Sequence, residues 1–274
     1  MPTANTLSPA KIAVQDFWNE ASCGERLYLE GPSIEGYHAQ AAERYRLEPY
    51  ILDFARFPEA NDKDVLEIGV GLGADHQMFA EAGARLTGID LTERAIEHSR
   101  QRLSLFGLTS NLRTGDAERL PFADASFDFV YSWGVIHHSP DTAAAALEIL
   151  RVLRPGGRFA VMVYHRRSIV GYALWLRYAL LRGRPLTGLD TIYANHLESP
   201  GTKAYSVAEA ERLFAGAAKV SATPVLTHAD LLESSVGQRH RGPLLAIARR
   251  LWPRWIIRRL MPGHGLFLLI EGRR

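Results

Sequence analysis

The chain carries one cysteine, Cys23, among 274 residues. No disulfide can close within it, and a metal site built on clustered cysteines is excluded. Cys23 itself, lone and near the start, reads as a passive thiol rather than a nucleophile. No apolar run approaches the roughly 18 residues that a membrane-crossing helix needs. The basic, then apolar, then small-residue pattern of a secretory signal is also missing, so a cytoplasmic location is expected. Charge of one sign is not in excess: Lys plus Arg is 32 and Asp plus Glu is 30, a formal net charge of +2. That balance gives no global affinity for a polyanion, and no nucleic-acid partner is expected. Internal repeats and low-complexity tracts are absent too. What remains is a length ample for one large domain with its own core.

The most informative stretch present is Asp64 to Asp75, DVLEIGVGLGAD, followed by Leu86-Thr87-Gly88-Ile89-Asp90. A β-branched apolar run leads into glycines at alternate positions, then a helix-like segment, then a second apolar run ending in a carboxylate. This reads as strand, tight turn, helix and strand, with Asp90 placed for a ribose. Glycine lets the backbone approach a ligand where a Cβ would collide. A dinucleotide site would show G-x-G-x-x-G and offer its helix N-terminus to a pyrophosphate. Here the spacing is G-x-G-x-G, and Glu67 precedes the first glycine by two residues. A carboxylate there repels a pyrophosphate and suits the sulfonium and ammonium of S-adenosylmethionine, which disfavours a nicotinamide oxidoreductase. Taken alone, the loop also fits an ordinary βα turn with a solvated Glu67.

Later segments narrow the reading. Thr114-Gly115-Asp116-Ala117 closes a strand predicted over Asn111 to Asp116. Ser126 to Trp133 reads as a buried strand. Leu153-Arg154-Pro155-Gly156-Gly157 ends a helix at a turn and leads into a strand at Phe159 to Tyr164. In the order and spacing of these five motifs the chain resembles the class I S-adenosylmethionine-dependent methyltransferases. It resembles in particular the bacterial type 11 group, which includes ubiquinone and menaquinone methyltransferases, over roughly Val65 to Tyr164.

The resemblance implies roles residue by residue. Gly69 and Gly71 would pass under the methionine part of the cofactor, and Glu67 would sit near its ammonium. Asp90 would accept from the ribose hydroxyls, with Leu91 beside the adenine and Asp116 and Ala117 at the adenine edge. Ser132 and Trp133 would lie at the carboxyl ends of the strands, where open α/β sheets bind ligands. Methyl transfer is an in-line displacement for which holding the acceptor aligned supplies most of the acceleration. A base is needed only where the acceptor must lose a proton. His137 and His138 are the candidates, since an imidazole titrates near neutrality; the other reading is that they hold the loop or line the substrate. His165 is a weaker candidate of the same kind.

The expected fold is a Rossmann-like α/β architecture with a seven-stranded, mostly parallel sheet and helices on both faces. A helical cap is expected over 1–62, with helices at Lys11 to Asn19 and Gly36 to Phe57, and the methyltransferase domain over 63–274. Insertions fall at 165–204 and 227–264. Ser206 and Glu209 form a capping-box signature for a helix to Phe214. Final strands are expected at Lys219 to Leu226 and Gly265 to Glu271. The cap is expected to close over the cofactor.

Both insertions mix large apolar residues with arginines. From Ser234 to Ile270 there is no acidic residue, while seven arginines, from Arg239 to Arg259, occur there. Two readings of 239–260 stand: a basic amphipathic pair lying on anionic lipid, at the inner membrane surface, or a helix pair packed on the sheet edge with solvated arginines. The apolar insertions favour a small, apolar or aromatic acceptor such as a quinone precursor, prenylated compound, lipid or natural product. The alternatives are N- or S-methylation of a polar metabolite, or a non-catalytic cofactor-binding module at a membrane.

Overall fold

The computed structural model describes residues 7–233 and 250–274. Seven strands form one sheet in the order β3-β2-β1-β4-β5-β7-β6. They are β1 (Asp64–Ile68), β2 (Arg85–Asp90), β3 (Asn111–Thr114), β4 (Phe127–Trp133), β5 (Leu153–Tyr164), β6 (Lys219–Val225) and β7 (Phe267–Arg273). The first five pair in parallel, and β7 runs antiparallel between β5 and β6.

The central strands are apolar on both sides, as a sheet covered on both faces requires. Alternation sends Leu66, Val130 and Val161 to one face and Val65, Phe129, Tyr131 and Ala160 to the other. The first face packs on α7 (Thr142–Val152) and α10 (Val207–Leu213), through Ala145, Ile149 and Ala210. The second packs on α4 (Tyr50–Ala55) and α5 (Ala74–Glu81), through Ile51, Phe54 and Phe79. Strand order reverses at β1, between β2 and β4, so the crevice at the carboxyl ends of those strands is the natural ligand position.

The N-terminal region holds α1 (Pro9–Glu20), α2 (Glu25–Tyr28) and α3 (Ile34–Leu47) before α4. Pro9 starts α1, and the Ser8 side chain caps it by accepting from the Lys11 amide. The single helix expected over Gly36 to Phe57 is instead two, α3 and α4. Pro49 cannot donate into a continuing helix and pushes the preceding residue out of the α region, and Glu48 accordingly adopts φ −130°, ψ 58°.

Two further boundaries moved. The Pro-Gly-Gly segment does not lie outside β5: pairing runs from Phe127 opposite Leu153 to Phe129 opposite Arg158, so Arg154 to Gly157 form a bulge within the strand. Gly156 takes φ +79° there. The last strand starts two residues later than Gly265, where an added Cβ would fall 1.8 Å from the Val225 carbonyl oxygen. The Ser206–Glu209 capping box of α10 forms as expected.

The first insertion folds into α8 (Ile169–Tyr178), a 3-10 turn and α9 (Leu189–His196). Of the second, α11 (Arg254–Leu260) is described, while the expectation for 239–249 lies outside the described residues. Among the described residues no helix is long and apolar enough to cross a membrane.

Candidate active site

The turn after β1 is built from glycines in the left-handed region, with φ +83° at Gly69, +50° at Gly71 and +74° at Gly73. A side chain at Gly69 would place its Cβ 2.0 Å from Val135 Cγ2, whereas at Gly71 nothing lies within 4 Å. The loop thus packs tightly on β4's side at Gly69 and leaves its backbone facing open space at Gly71. Asp90, at the end of β2, fastens this loop to the start of α6 (Glu93–Leu105). Its Oδ2 accepts from the Gly71 amide at 3.3 Å, and its Oδ1 from the Thr92 amide at 2.9 Å and hydroxyl at 2.8 Å. Burial pushes the Asp90 carboxyl above the usual range, opposed by those hydrogen bonds.

A cavity of about 350 Å³ opens beside this loop, within the range of small-molecule sites. Glu67, Gly69, Gly71, Asp90, Leu91, Asp116, Ala117, Trp133 and His138 all line it. Phe17 and Trp18 from α1, Leu27 and Tyr28 from α2, and Met162, Tyr164 and Phe267 from the sheet line it as well. The described structure therefore brings the glycine loop, the strand-end carboxylates and an aromatic chamber into one space.

Three members of the expected set are placed elsewhere. Ser132 is fully buried, donates to the Ile68 carbonyl at 3.1 Å and is not among the cavity-lining residues. His137 is also fully buried and off the cavity, and neither ring nitrogen finds a partner among the described residues. Burial holds its imidazole neutral, well below the usual range. His165 makes a 3.1 Å bond between Nδ1 and the Gly265 carbonyl and does not line the cavity.

Glu67 lines the cavity, yet its carboxyl is engaged from below. Oε2 lies 2.8 Å from His76 Nδ1, and His76 Nε2 lies 2.8 Å from Ser110 Oγ. Ser110 gives its hydroxyl proton to the Leu86 carbonyl at 2.9 Å. His76 must then donate from Nε2 and accept at Nδ1, so the proton between the pair sits on Glu67. Burial favours the same state, raising the Glu67 carboxyl and lowering the His76 imidazole to about 3. The anionic Glu67 expected from the motif is thus a neutral acid, because burial and the nearby Asp75 and Asp90 carboxyls outweigh the Arg44 guanidinium.

Asp116 also acquires a partner that motif reading did not supply. Lys11, 8 % exposed on α1, places Nζ 2.5 Å from Asp116 Oδ2 and 2.6 Å from Glu118 Oε2. Four residues along α1, Gln15 Nε2 donates to the Leu91 carbonyl at 2.8 Å.

The far end of the cavity is set by residues that sequence reasoning missed. His138 Nδ1 lies 2.8 Å from Ser199 Oγ and 3.2 Å from Thr202 Oγ1, while Nε2 lies 3.5 Å from Glu198 Oε2. Tyr164 donates to the same Glu198 oxygen at 2.5 Å. The 165–204 segment thus reaches back to the cavity. Beneath the chamber, Asp75 accepts from Arg44 Nε at 3.0 Å and Nη2 at 2.6 Å, from Tyr45 at 3.0 Å and from Tyr131 at 2.9 Å. Burial raises the Asp75 carboxyl, but Arg44 and these donors outweigh it and hold the group ionised. Glu48, 3.4 Å from Arg44, is lifted by burial to about 7. Cys23 lines the same space as an exposed residue.

The open backbone at Gly71, the Asp90 carboxylate at a strand end and the adjoining Asp116 fit S-adenosylmethionine without crowding. Comparison with known proteins agrees. Residues 66–161 match the family model described as a methyltransferase domain. The chain is 33 % identical over 183 residues to the demethylmenaquinone methyltransferase of Tropheryma whipplei, covering 62 % of this chain and 75 % of that one. It is 32 % identical over 140 residues to a sterol 4-C-methyltransferase of Caenorhabditis elegans, covering 50 % and 41 %. Among solved structures, the geranyl diphosphate C-methyltransferase of Streptomyces coelicolor superposes with a TM-score of 0.63 at 16 % identity, covering 98 % of this chain and all of that one, and shows the shared fold. The chain therefore belongs to the class I S-adenosylmethionine-dependent methyltransferases, in the type 11 group.

Proposed function

We propose that this methyltransferase acts on a small, largely apolar or aromatic acceptor, such as a quinone precursor, prenylated compound, lipid or natural product. The observation that carries this reading is the continuity of one cavity, from Gly71 and Asp90 to a chamber walled by Phe17, Trp18, Trp133, Met162, Tyr164 and Phe267. When bound, the cofactor supplies an electrophilic methyl on a sulfonium that is already a good leaving group. The chain's residues have the remaining tasks. The glycine loop and Asp90 hold the nucleoside end, with Leu91, Ala117 and Asp116 at the adenine. The N-terminal residues 1–62 act as a cap over the methyltransferase domain at 63–274, and α1 excludes water from the reacting end. The aromatic walls orient the acceptor, which is where most of the acceleration arises.

For an acceptor that loses a proton, His138 is the base. Its Nδ1 is held by Ser199 and Thr202, so that Nε2 faces the cavity beside Glu198. A second reading, N-methylation of a polar amine, rests on Glu198 and Glu48, two carboxyl groups in the chamber wall that suit an ammonium. The test is to incubate the protein with methyl-labelled S-adenosylmethionine and a cell extract and to partition the products. Label in the organic phase is expected; label confined to water favours the polar acceptor.

A further inference from the structure

The helix α11 backs the wall of the acceptor chamber. Ile257, 5 % exposed, is its inward residue and packs on Leu231 and Ile169. Just before α11, Trp252 Nε1 donates to the Asp230 carbonyl at 2.8 Å. The buried Asp230 carboxylate accepts the amides of Thr227 at 2.9 Å, Leu266 at 2.8 Å and Val170 at 3.2 Å. Those three residues line the cavity. A single hydrogen-bonded loop thus stands between α11 and the acceptor.

The outward side of the same segment is apolar and, among the described residues, exposed. Leu251 is 75 % exposed, Trp255 76 %, Leu260 73 % and Ile256 46 %. Arg250, Arg258 and Arg259 are exposed among them. No Asp or Glu occurs from Ser234 to Ile270, and the acidic side chain in reach is Glu233, paired with Arg258. Large aliphatics and a tryptophan interleaved with guanidinium groups match the chemistry of a bilayer surface. The apolar side chains enter the acyl boundary, tryptophan sits at the headgroup level, and arginines meet anionic phosphates.

We propose that residues 250–260 dock on an anionic phospholipid surface and set the acceptor chamber against the bilayer, from which a lipophilic acceptor enters. The docking itself does not depend on which acceptor is methylated, whereas entry of the acceptor from the bilayer rests on the reading above; vesicle binding tests the first apart from the second.

The test uses the full chain and vesicles. Sedimentation with phosphatidylcholine vesicles containing about one-third phosphatidylglycerol is expected to carry the protein down. Phosphatidylcholine alone is expected to carry little, and raising salt to about 0.5 M to release most of it. The double variant Trp255→Ser/Leu260→Ser lies outside the cavity lining, so it is expected to keep its affinity for S-adenosylhomocysteine while binding vesicles at least about tenfold more weakly. Arg250→Gln/Arg259→Gln is expected to remove the preference for phosphatidylglycerol. Absence of vesicle binding, equal binding to both vesicle types, or unchanged binding by the serine variant would overturn the proposal. So would a dimer in solution that the serine variant dissociates, since that assigns the face to a second copy.

Discussion

Lys11 on α1 and Asp116 after β3 form an ion pair at 2.5 Å that fastens the N-terminal helix across the end of the cavity proposed to hold the adenine. Both side chains are largely buried, so the pair resists screening better than a surface bridge. Glu118 shares the ammonium at 2.6 Å, and Gln15 adds a bond to the Leu91 carbonyl. An α1 that gates cofactor exchange has to part from that loop. Lys11→Met is therefore expected to speed S-adenosylhomocysteine dissociation about tenfold, in line with the loss of one charged hydrogen bond. Stopped-flow measurement of the off-rate checks this; an unchanged rate would mean that α1 does not gate the site.

The proton shared by Glu67 and His76 gives a second expectation. Glutamine at 67 keeps a donor toward His76 Nδ1 and remains neutral, as the buried acid does. Glu67→Gln should hold S-adenosylhomocysteine affinity within about threefold and stability within about 1 kcal/mol. His76→Ala removes a buried partner and should cost about 2–3 kcal/mol in chemical unfolding. A large loss of cofactor affinity in the glutamine variant would show that the group works as an anion.

Glu48 predicts a pH dependence. Its carboxyl lies at about 7 in the fold against 4.5 ordinarily, raised by burial despite Arg44. Below pH 4.5 both states are protonated and the group contributes nothing to the difference. As pH rises toward 7 the unfolded chain ionises while the folded one resists, so stability is lost across that window. Glu48→Gln lacks the penalty. It should match the wild type near pH 4 and exceed it by up to about 3 kcal/mol above pH 7. Denaturant titrations at the two pH values read this, and a variant no more stable at high pH contradicts it.

The two adjacent histidines should separate cleanly. His138→Asn is expected to lower turnover by about 10²–10⁴-fold on an acceptor that loses a proton, with cofactor affinity unchanged. His137→Asn should leave turnover close to the wild type and act on stability alone, because that ring is buried off the cavity. Single-turnover kinetics with the labelled cofactor distinguish them; equal losses would show that the histidines work only by holding the loop.

Motifs whose partners lie close in sequence were legible without coordinates. The glycine turn, Asp90 and the Ser206–Glu209 cap depend on local spacing, and each takes the expected backbone form. The boundary at Pro49 was readable in principle, since proline and the residue before it oppose a continuous helix, but the apolar pattern on both sides concealed it. Residues whose role depends on distant partners were not legible. Nothing local shows that His76 reaches Glu67 from the next turn of chain, or that Lys11 meets Asp116 across 105 positions. Ser199 and Thr202 reach His138 only because the 165–204 segment folds back over β5. Ser132 and His137 failed for the opposite reason: a strand or turn position near the site does not decide which face a side chain takes.

The most direct test of the account is a crystal structure with S-adenosylhomocysteine bound. The account predicts the ribose hydroxyls on Asp90, the adenine beside Asp116 and Leu91 under α1, and the sulfur directed at the chamber between Trp133 and His138. A nucleoside bound away from Asp90, or a sulfur turned from that chamber, would contradict it.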